Sequence, residues 1–159
     1  MAKAKNPIPE GYHSVTPYLT VKGAAKAIEW YVSALGAKEL YRMDGPHGSI
    51  VHAELQIGDS RIMLADEHPE MGARSPASVG GTPVGLMLYV PDVDAVFERA
   101  VKTGATSERP IADQFYGDRT GSIVDPFGHK WTIATHVEDV SPDEMERRYG
   151  EMMAKMGQP

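Results

Sequence analysis

At 159 residues the chain is long enough for one globular domain, and its 42% hydrophobic and 24% charged residues are typical of a water-soluble protein. No apolar run approaches the ~20 residues of a membrane-spanning helix, and the first residues lack the apolar stretch of a secretory signal. The net charge of −6 argues against nucleic-acid binding, and the absence of cysteine excludes disulfides and thiolate metal sites. We therefore expect a cytoplasmic protein without nucleic-acid or membrane partners.

The first half of the chain has the pattern of a βαβββ module. A short strand at 16–21 leads into a helix within 23–37, whose apolar side chains recur at i, i+3, i+4, i+7, i+8 and i+11. Gly36 is placed to end this helix, because its position favours a left-handed backbone. Three strand-like runs follow, at 38–43, 49–57 and 60–65. This first module spans residues 12–67.

A linker rich in Pro, Gly and Ser, residues 68–81, separates this module from a second copy at 82–137. The second copy begins with a strand at 82–90 and a helix with Asp92 as its N-cap and Gly104 after its end. Its three further strands lie at 106–111, 120–124 and 129–135. The sequence Asp-Pro-Phe-Gly at 125–128 has the residue preferences of a type I turn between the last two.

A third helix is predicted at the C-terminus, at 141–156. Ser141 is its expected N-cap, Pro142 its first residue, and Glu144 the partner that completes a capping box. Its apolar side must cover something, either the domain's own sheet, which we prefer, or a second subunit. That side consists of Met145, Tyr149, Met152 and Met156.

These elements predict an α+β fold. Two tandem βαβββ modules form a cupped mixed sheet with the helices on the outside, and a C-terminal helix follows. The whole chain, 1–159, is expected to be a single domain.

Alternation along the strands separates two faces of the sheet. In the run 49–57, Val51, Ala53, Leu55 and Ile57 are expected to face the core, and His52, Glu54 and Gln56 the opposite side. A fully solvated face rarely collects aromatic and thioether side chains, so we expect the opposite side to line a small-molecule cavity. The alternative is a face left to water. The aromatic and thioether side chains on the side opposite the core are Tyr18, Met63, Met87 and Tyr89.

The chain resembles the PhnB-like branch of the glyoxalase/bleomycin-resistance/dioxygenase (vicinal-oxygen-chelate) superfamily over about residues 12–150. The paired modules, the helix IEWYVSALGA and above all DQFYGDRTGSIVDPFGHKWTIATHVEDVSPDEMERR carry the resemblance. It implies a cupped pair of modules, commonly in a homodimer. Metal-dependent members include isomerases, lyases, dioxygenases and fosfomycin-modifying enzymes. Metal-free members include antibiotic-resistance proteins that bind and sequester bleomycin.

The resemblance also locates four vacated metal positions. In metal-dependent members His and Glu ligands come from the first and last strands of each module. The matching positions here are Thr16, Met63, Gly85 and Thr132. None offers the imidazole or carboxylate that a divalent ion prefers. The resemblance therefore disfavours a metal-dependent glyoxalase or dioxygenase, and we expect no metal and no cofactor.

His52 and Glu54 are the main candidates for chemistry, because residues two apart on a strand share a face. A carboxylate beside an imidazole can orient it as a general base near neutral pH. His136, at the end of the last strand, is a further candidate for this group. Ligand hydrogen bonding, acid/base chemistry and a displaced metal site all stay open.

Aromatic residues and an arginine precede the strand at 120–124. Phe115, Tyr116 and Arg119 have the chemistry to clamp an anionic or planar ligand. The alternative is that Asp118 and Arg119 form a pair that holds the loop.

We therefore expect a metal-independent small-molecule-binding protein of the resistance or sequestration type, with an aromatic and polar cup shared by a homodimer. One alternative is a lyase or isomerase that uses His52 and Glu54 as acid and base or a displaced metal site. Another is a non-catalytic interaction module in which the C-terminal Met/Tyr stripe makes the contact. The expected ligand contacts are Tyr18, His52, Glu54, Tyr89, Phe115, Tyr116, Arg119, Thr132 and His136.

Overall fold

The structure is a computed structural model and describes residues 3–157. The first group of strands is β1 Tyr18–Val21, β2 Lys38–Asp44, β3 Ile50–Ile57 and β4 Ser60–Asp66. The second group is β5 Gly85–Tyr89, β6 Thr106–Asp113, β7 Asp118–Val124 and β8 Lys130–His136. The helices are α1 Ala24–Leu35, the short α2 Pro76–Val79, α3 Val93–Lys102 and α4 Pro142–Met156.

The chain divides into two compact units, one formed by residues up to Pro83 with Pro126–His129, the other by Val84–Asp125 with the residues from Lys130 onwards. Each unit contains one four-stranded mixed sheet. The strand orders are β1-β4-β3-β2 and β5-β8-β7-β6, so the two copies have the same topology. The first strand runs parallel to the last in each, and the other pairs are antiparallel. Two tandem βαβββ modules are thus confirmed, with two four-stranded sheets rather than one of eight strands.

The core of the first unit lies between α1 and one face of its sheet. The apolar stripe of α1 buries Ile28 and Tyr31, which are at most 1% exposed. Sheet residues that alternate with exposed ones, such as Val21, Leu55 and Leu64, complete this core and are fully buried. Burial of each such aliphatic side chain contributes about 1.5–3 kcal/mol.

The core of the second unit lies between α3 and its sheet. Val93 and Ala100 of α3 are buried, as are Ile123 and Ile133 of β7 and β8. Gly121 allows α3 to come close, because a Cβ there would lie only 2.7 Å from the ring of Phe97. Fewer residues are buried in α3 than in α1, so α3 is half-exposed along much of its length.

The helix ends follow the predicted signals with one exception. The Asp92 carboxylate accepts the amide of Ala95, and Gly36 has a left-handed φ of 69°. The Ser141 hydroxyl accepts the amide of Glu144 at 3.3 Å. The capping box expected between Ser141 and Glu144 is only half formed, because the Glu144 carboxylate binds two arginines of the same helix. The 68–81 linker also differs, since it contains α2.

Helix α4 has no buried residue, although the sequence favoured its packing on the chain's own sheet. Tyr149 is 48% exposed and Met156 is 72% exposed. The preferred expectation, that α4 packs on the chain's own sheet, is therefore wrong. Within residues 3–157, no helix has the length and apolar character to cross a membrane.

One expected core residue is also wrong. Val51 is 43% exposed, whereas the preceding residue, Ile50, is 1% exposed. The pairing of β2 with β3 shifts at this point, from Met43 opposite His52 to Asp44 opposite Ile50. Such a bulge turns neighbouring side chains to the other side of a strand, which simple alternation does not anticipate.

Candidate ligand-binding faces of the two sheets

A chain of hydrogen bonds crosses the first sheet on the face opposite α1. The Tyr18 hydroxyl lies 2.8 Å from Nδ1 of His52, and Nε2 of His52 lies 3.3 Å from Oε1 of Glu54. Strand alternation places these side chains together, because the intervening Ala53 faces the core and is fully buried. We call Tyr18, His52 and Glu54 the Tyr–His–Glu chain.

Two tyrosine rings flank the imidazole of this chain. The ring of Tyr18 lies 5.5 Å from that of His52, and the ring of Tyr41 lies 6.4 Å away. Tyr41 reaches this face because it pairs with Glu54 across β2 and β3. Tyr18 and Tyr41 are 52% and 47% exposed, so both rings present area to a ligand.

The protonation pattern of the Tyr–His–Glu chain follows from its carboxylate. The Tyr12 hydroxyl lowers the pKa of Glu54, burial opposes this, and His52 lowers it further. An ionised carboxylate only accepts hydrogen bonds, so Nε2 of His52 carries the proton that faces Glu54. In a neutral imidazole Nδ1 then accepts from the Tyr18 hydroxyl, whose pKa is raised by burial.

Tyr12, from the segment before β1, and Arg61, from β4, lie close to Glu54. The buried Tyr12 hydroxyl lies near Glu54 without a hydrogen bond of normal geometry to any described residue. Burial, and then the carboxylate of Glu54, raise the pKa of Tyr12 to about 12. The guanidinium of Arg61 stacks 4.9 Å from the Tyr12 ring and donates to the carbonyl of Glu10. Gly11 leaves room for it, since a Cβ there would lie 2.3 Å from that guanidinium.

The second sheet has a different polar group on the face opposite α3. Asp118 is only 4% exposed, and its carboxylate accepts a hydrogen bond from the Tyr89 hydroxyl at 2.7 Å. Its other oxygen lies 2.7 Å from Nδ1 of His136, and Nε2 of His136 lies 2.9 Å from Asp139. The hydrogen bonds to Asp139 and then Asp118 raise the pKa of His136. Both ring nitrogens of His136 are therefore engaged by carboxylates.

The four positions at which the family resemblance places metal ligands offer poor donors for a divalent ion. Gly85 has no side chain, and the hydroxyl of Thr132 is hydrogen-bonded to that of Ser122 at 3.0 Å. Thr16 would offer a hydroxyl and Met63 a thioether, both poor ligands for such ions. Elsewhere in residues 3–157, no group of three or more His, Asp or Glu side chains has the geometry to hold a metal.

The aromatic residues before β7 and Arg119, which lies within β7, have separate partners in the structure. Arg119 donates to both oxygens of Asp94 at 2.8 Å and to Asp113 at 3.1 Å. This engages its guanidinium on the α3 side, opposite Asp118, so the two do not pair. Phe115 packs edge-on against Tyr116, 5.2 Å away, and against Tyr149 of α4. The expected roles of Phe115, Tyr116 and Arg119 in ligand contact stay predictions.

Sequence reasoning missed Tyr12, Tyr41, Arg61 and Asp139. Tyr41 carried no local signal, because only the register of β2 against β3 brings it beside His52. Asp139 lies three residues after His136 in a stretch without periodicity. Sequence reasoning also missed the pairing of Asp118 with His136, which depends on the register of β7 against β8.

Comparison with known proteins identifies the family. The family model described as Glyoxalase/Bleomycin resistance protein/Dioxygenase superfamily matches residues 11–133. The uncharacterized protein Mb0911c of Mycobacterium bovis is 46% identical over 136 residues, covering 84% of this chain and 90% of that protein. The chain belongs to this superfamily.

Solved structures show the same fold. TioX from Micromonospora sp. ML1 superposes with a TM-score of 0.63 at 26% identity, covering 79% of this chain and 99% of TioX. The PhnB protein of Bacillus cereus superposes with a TM-score of 0.60 at 16% identity, covering 77% and 99% of the two chains. The second likeness is one of fold alone.

Proposed function

We propose that this member of the glyoxalase/bleomycin-resistance/dioxygenase superfamily binds a small molecule without a metal ion, on the polar and aromatic faces of its sheets. The observation that carries the proposal is the Tyr–His–Glu chain, with Tyr18 and Tyr41 on either side of His52. Half-exposed aromatic rings beside hydrogen-bonded polar groups are typical of small-molecule sites.

The chemistry of this face selects for a planar ligand with hydrogen-bond donors. The tyrosine rings supply flat apolar area for stacking. The Tyr18 hydroxyl directs its proton to His52, and the Glu54 carboxylate carries negative charge, so both present acceptor oxygens. An N–H or O–H group of the ligand would satisfy those acceptors, whereas an anionic group would be repelled by Glu54.

The second sheet contributes a face of its own to this proposal. Tyr89 is 57% exposed, and Met87, two residues earlier on the same strand face, is 49% exposed. Thr132 and His136 add a hydroxyl and an imidazole on the neighbouring strand. The carboxylates of Asp139 and Asp118 favour the charged form of His136 and engage both of its ring nitrogens, so the exposed ring of Tyr89 and the side chain of Met87 would supply the main ligand contact on this face.

We propose metal independence from the side chains that stand where the family resemblance places metal ligands. At the four positions where the resemblance places metal ligands, the side chains are Thr16, Met63, Gly85 and Thr132, and none of them is an imidazole or a carboxylate. Sequestration, the activity of the metal-free bleomycin-binding members, needs only affinity. We therefore propose a resistance or sequestration role in the cytoplasm, in the PhnB-like branch of the superfamily.

The test is a thermal-shift screen of protein stripped of metal with a chelator, using metal-free bleomycin, thiol adducts and quinones. A compound at about 100 times its Kd would stabilise the fold by about 2.7 kcal/mol. The stabilisation should fall in Tyr18→Phe and His52→Asn and persist in the surface variant His47→Asn. Stabilisation that appears only after Mn²⁺ or Zn²⁺ is added would contradict metal independence.

An enzymatic role has one specific observation in its favour, the continuous path from the Tyr18 hydroxyl through His52 to Glu54. If the Tyr18 oxygen takes a proton from a bound ligand, its own hydroxyl proton passes to Nδ1 of His52, and Glu54 stabilises the imidazolium that forms. This would serve a lyase or isomerase that moves a proton. Turnover that is lost in both Tyr18→Phe and His52→Asn would favour this role over sequestration.

We also propose that the protein is a homodimer, as the family resemblance implies. Edge strand β2 offers the contact, because Leu40 and Met43 are 37% and 46% exposed. An uncovered sheet edge with exposed apolar residues favours pairing with a second chain. Sedimentation equilibrium of the wild type and of Leu40→Lys tests this, and a wild-type monomer at all concentrations would contradict it.

A further inference from the structure

An apolar pocket of about 320 Å³ lies where α4 begins. Phe115, Pro142, Met145, Glu146 and Tyr149 line it, and all of them belong to the second unit. The volume is at the lower end of those that hold small organic ligands, roughly 300–1,000 Å³. The lining therefore combines an aromatic and thioether surface with a single carboxylate.

Two aromatic rings form one wall of this pocket. The rings of Phe115 and Tyr149 lie 5.6 Å apart and are tilted by 46°, so they meet as a corner rather than a stack. Tyr116 fixes Phe115 from another direction with an edge-on contact at 5.2 Å. Tyr149 is 48% exposed, which leaves part of its ring free. The faces of such rings carry partial negative charge and attract cations.

Glu146 supplies an uncompensated charge. Within residues 3–157 its carboxylate has no ion-pair or hydrogen-bond partner. The neighbouring Glu144 and Glu151 both bind Arg147, and Glu138 binds Arg148. Glu146 thus differs from the other glutamates around α4 by lining the pocket without a cation.

The surrounding segment is also negative. Residues 138–151 contain six acidic side chains and only the two arginines, 147 and 148. The two arginines pair with glutamates and offset only part of this charge, which leaves the segment with a net charge of −4. Charge of one sign around a cleft raises the local concentration of ions of the opposite sign.

We propose that this pocket binds a small organic cation of the quaternary or substituted ammonium class. The cationic head lies against Phe115 and Tyr149 and faces the Glu146 carboxylate, and the apolar part of the ligand covers Met145 and Pro142. An anion is excluded by the surrounding charge, and a neutral ligand leaves Glu146 uncompensated. The site uses none of the Tyr–His–Glu chain, so either proposal can fail without the other.

The experiment compares choline with its uncharged isostere, in which a carbon atom replaces the quaternary nitrogen, by NMR titration of isotope-labelled full-length protein. Choline is expected to shift the Met145 methyl and Tyr149 ring signals and to bind about three- to fivefold more tightly than the isostere. Glu146→Gln should reduce choline affinity to that of the isostere. Tyr149→Leu should do the same while retaining the apolar contact.

Glu151→Gln is the matched control, since it removes the same charge from α4 at a residue that does not line the pocket. Its choline affinity should stay within about twofold of the wild type. The proposal is overturned if choline does not bind the wild type, or binds no better than the isostere, or weakens equally in both glutamate variants. A dimer that Tyr149→Arg dissociates also overturns it, because a second copy would then cover the pocket.

Discussion

Asp66 and Thr135 occupy equivalent positions at the ends of β4 and β8 and hold the first turn of the helix in their own unit. Asp66 pairs with Val21 and accepts the amides of Gly23 and Ala24 at 2.9 and 2.8 Å. Thr135 follows the Tyr89–Ala134 pair and accepts the amide of Val93 at 2.9 Å. The same junction of strand and helix is thus satisfied by a carboxylate in one copy and a hydroxyl in the other.

Asp66→Ala is expected to destabilise the protein more than Thr135→Val. Asp66 also accepts the amide of Ile50, so its loss leaves three backbone donors unsatisfied. We expect a cost of about 2–4 kcal/mol for Asp66→Ala and about 1 kcal/mol for Thr135→Val. Urea unfolding measures both. An Asp66→Ala cost no larger than that of the surface change Asp59→Asn would contradict this assignment.

Gly121 and Gly85 offer a matched pair of glycine-to-alanine changes in the second sheet. A Cβ at Gly121 would lie 2.7 Å from Phe97 and 2.9 Å from Ile111, whereas one at Gly85 would meet nothing within 4 Å. Gly121→Ala should therefore cost about 1–3 kcal/mol through overpacking beneath α3. Gly85→Ala should stay within about 0.5 kcal/mol of the wild type. Equal effects in urea unfolding would rule out this close contact.

The imidazole of His52 is expected to be the Nε2–H tautomer near neutral pH, because Glu54 accepts at Nε2 and Tyr18 donates at Nδ1. Nitrogen NMR of labelled histidine distinguishes the two tautomers. Glu54→Gln should mix them, since an amide can either donate to Nε2 or accept from it. Tyr41→Phe is the control, because its ring only lies 6.4 Å from the imidazole. An Nδ1–H tautomer in the wild type would contradict the direction of the Tyr–His–Glu chain.

Stability should fall as pH rises through the pKa of His136. Asp139 and Asp118 raise that pKa above the ordinary value of about 6.5, so the native state holds the proton more tightly than the unfolded state. The stabilisation is complete below the unfolded pKa and is lost as pH rises through the folded one. The groups that face the ring are Asp118, Asp139 and, through Asp118, Tyr89.

Urea midpoints between about pH 5 and pH 9 measure this dependence. The difference between wild type and His136→Asn should be largest at the acidic end and shrink as pH rises. His47→Asn, at an exposed residue with a left-handed φ of 58° that asparagine tolerates, is the control and should show no such trend. A difference that stays constant with pH would contradict the raised pKa.

The fold could be predicted because the same pattern of strand and helix signals occurs in both halves of the chain. The apolar stripe of α1, the Asp92 cap and the Gly36 stop each act within one turn of chain, and the structure confirms them. The position of Val51 was wrong because the bulge opposite Asp44 depends on pairing between strands. The packing of α4 could not be read from its own stripe, since that stripe looks the same whether or not another surface covers it.

The site was predictable only where it lies within a single strand. His52 and Glu54 share a face of β3 by alternation, and the structure brings them together. Tyr41 and Tyr12 depend on the register of β2 and on the path of the segment before β1. The joining of His136 with Asp118 depends on the β7–β8 register, in which those two residues pair directly. Longer-range contacts of this kind have no periodic signature in sequence.

The central claim, metal-free ligand binding on the sheet faces, is tested most directly by NMR of chelator-treated protein titrated with a library of planar, hydrogen-bond-donating fragments. We expect fragment-induced shifts to cluster at Tyr18, Tyr41, His52 and Glu54 without added metal, and to weaken in Tyr18→Phe. Shifts that appear only after Mn²⁺ or Zn²⁺ is added, or that leave His52 and Glu54 unaffected, would contradict the claim.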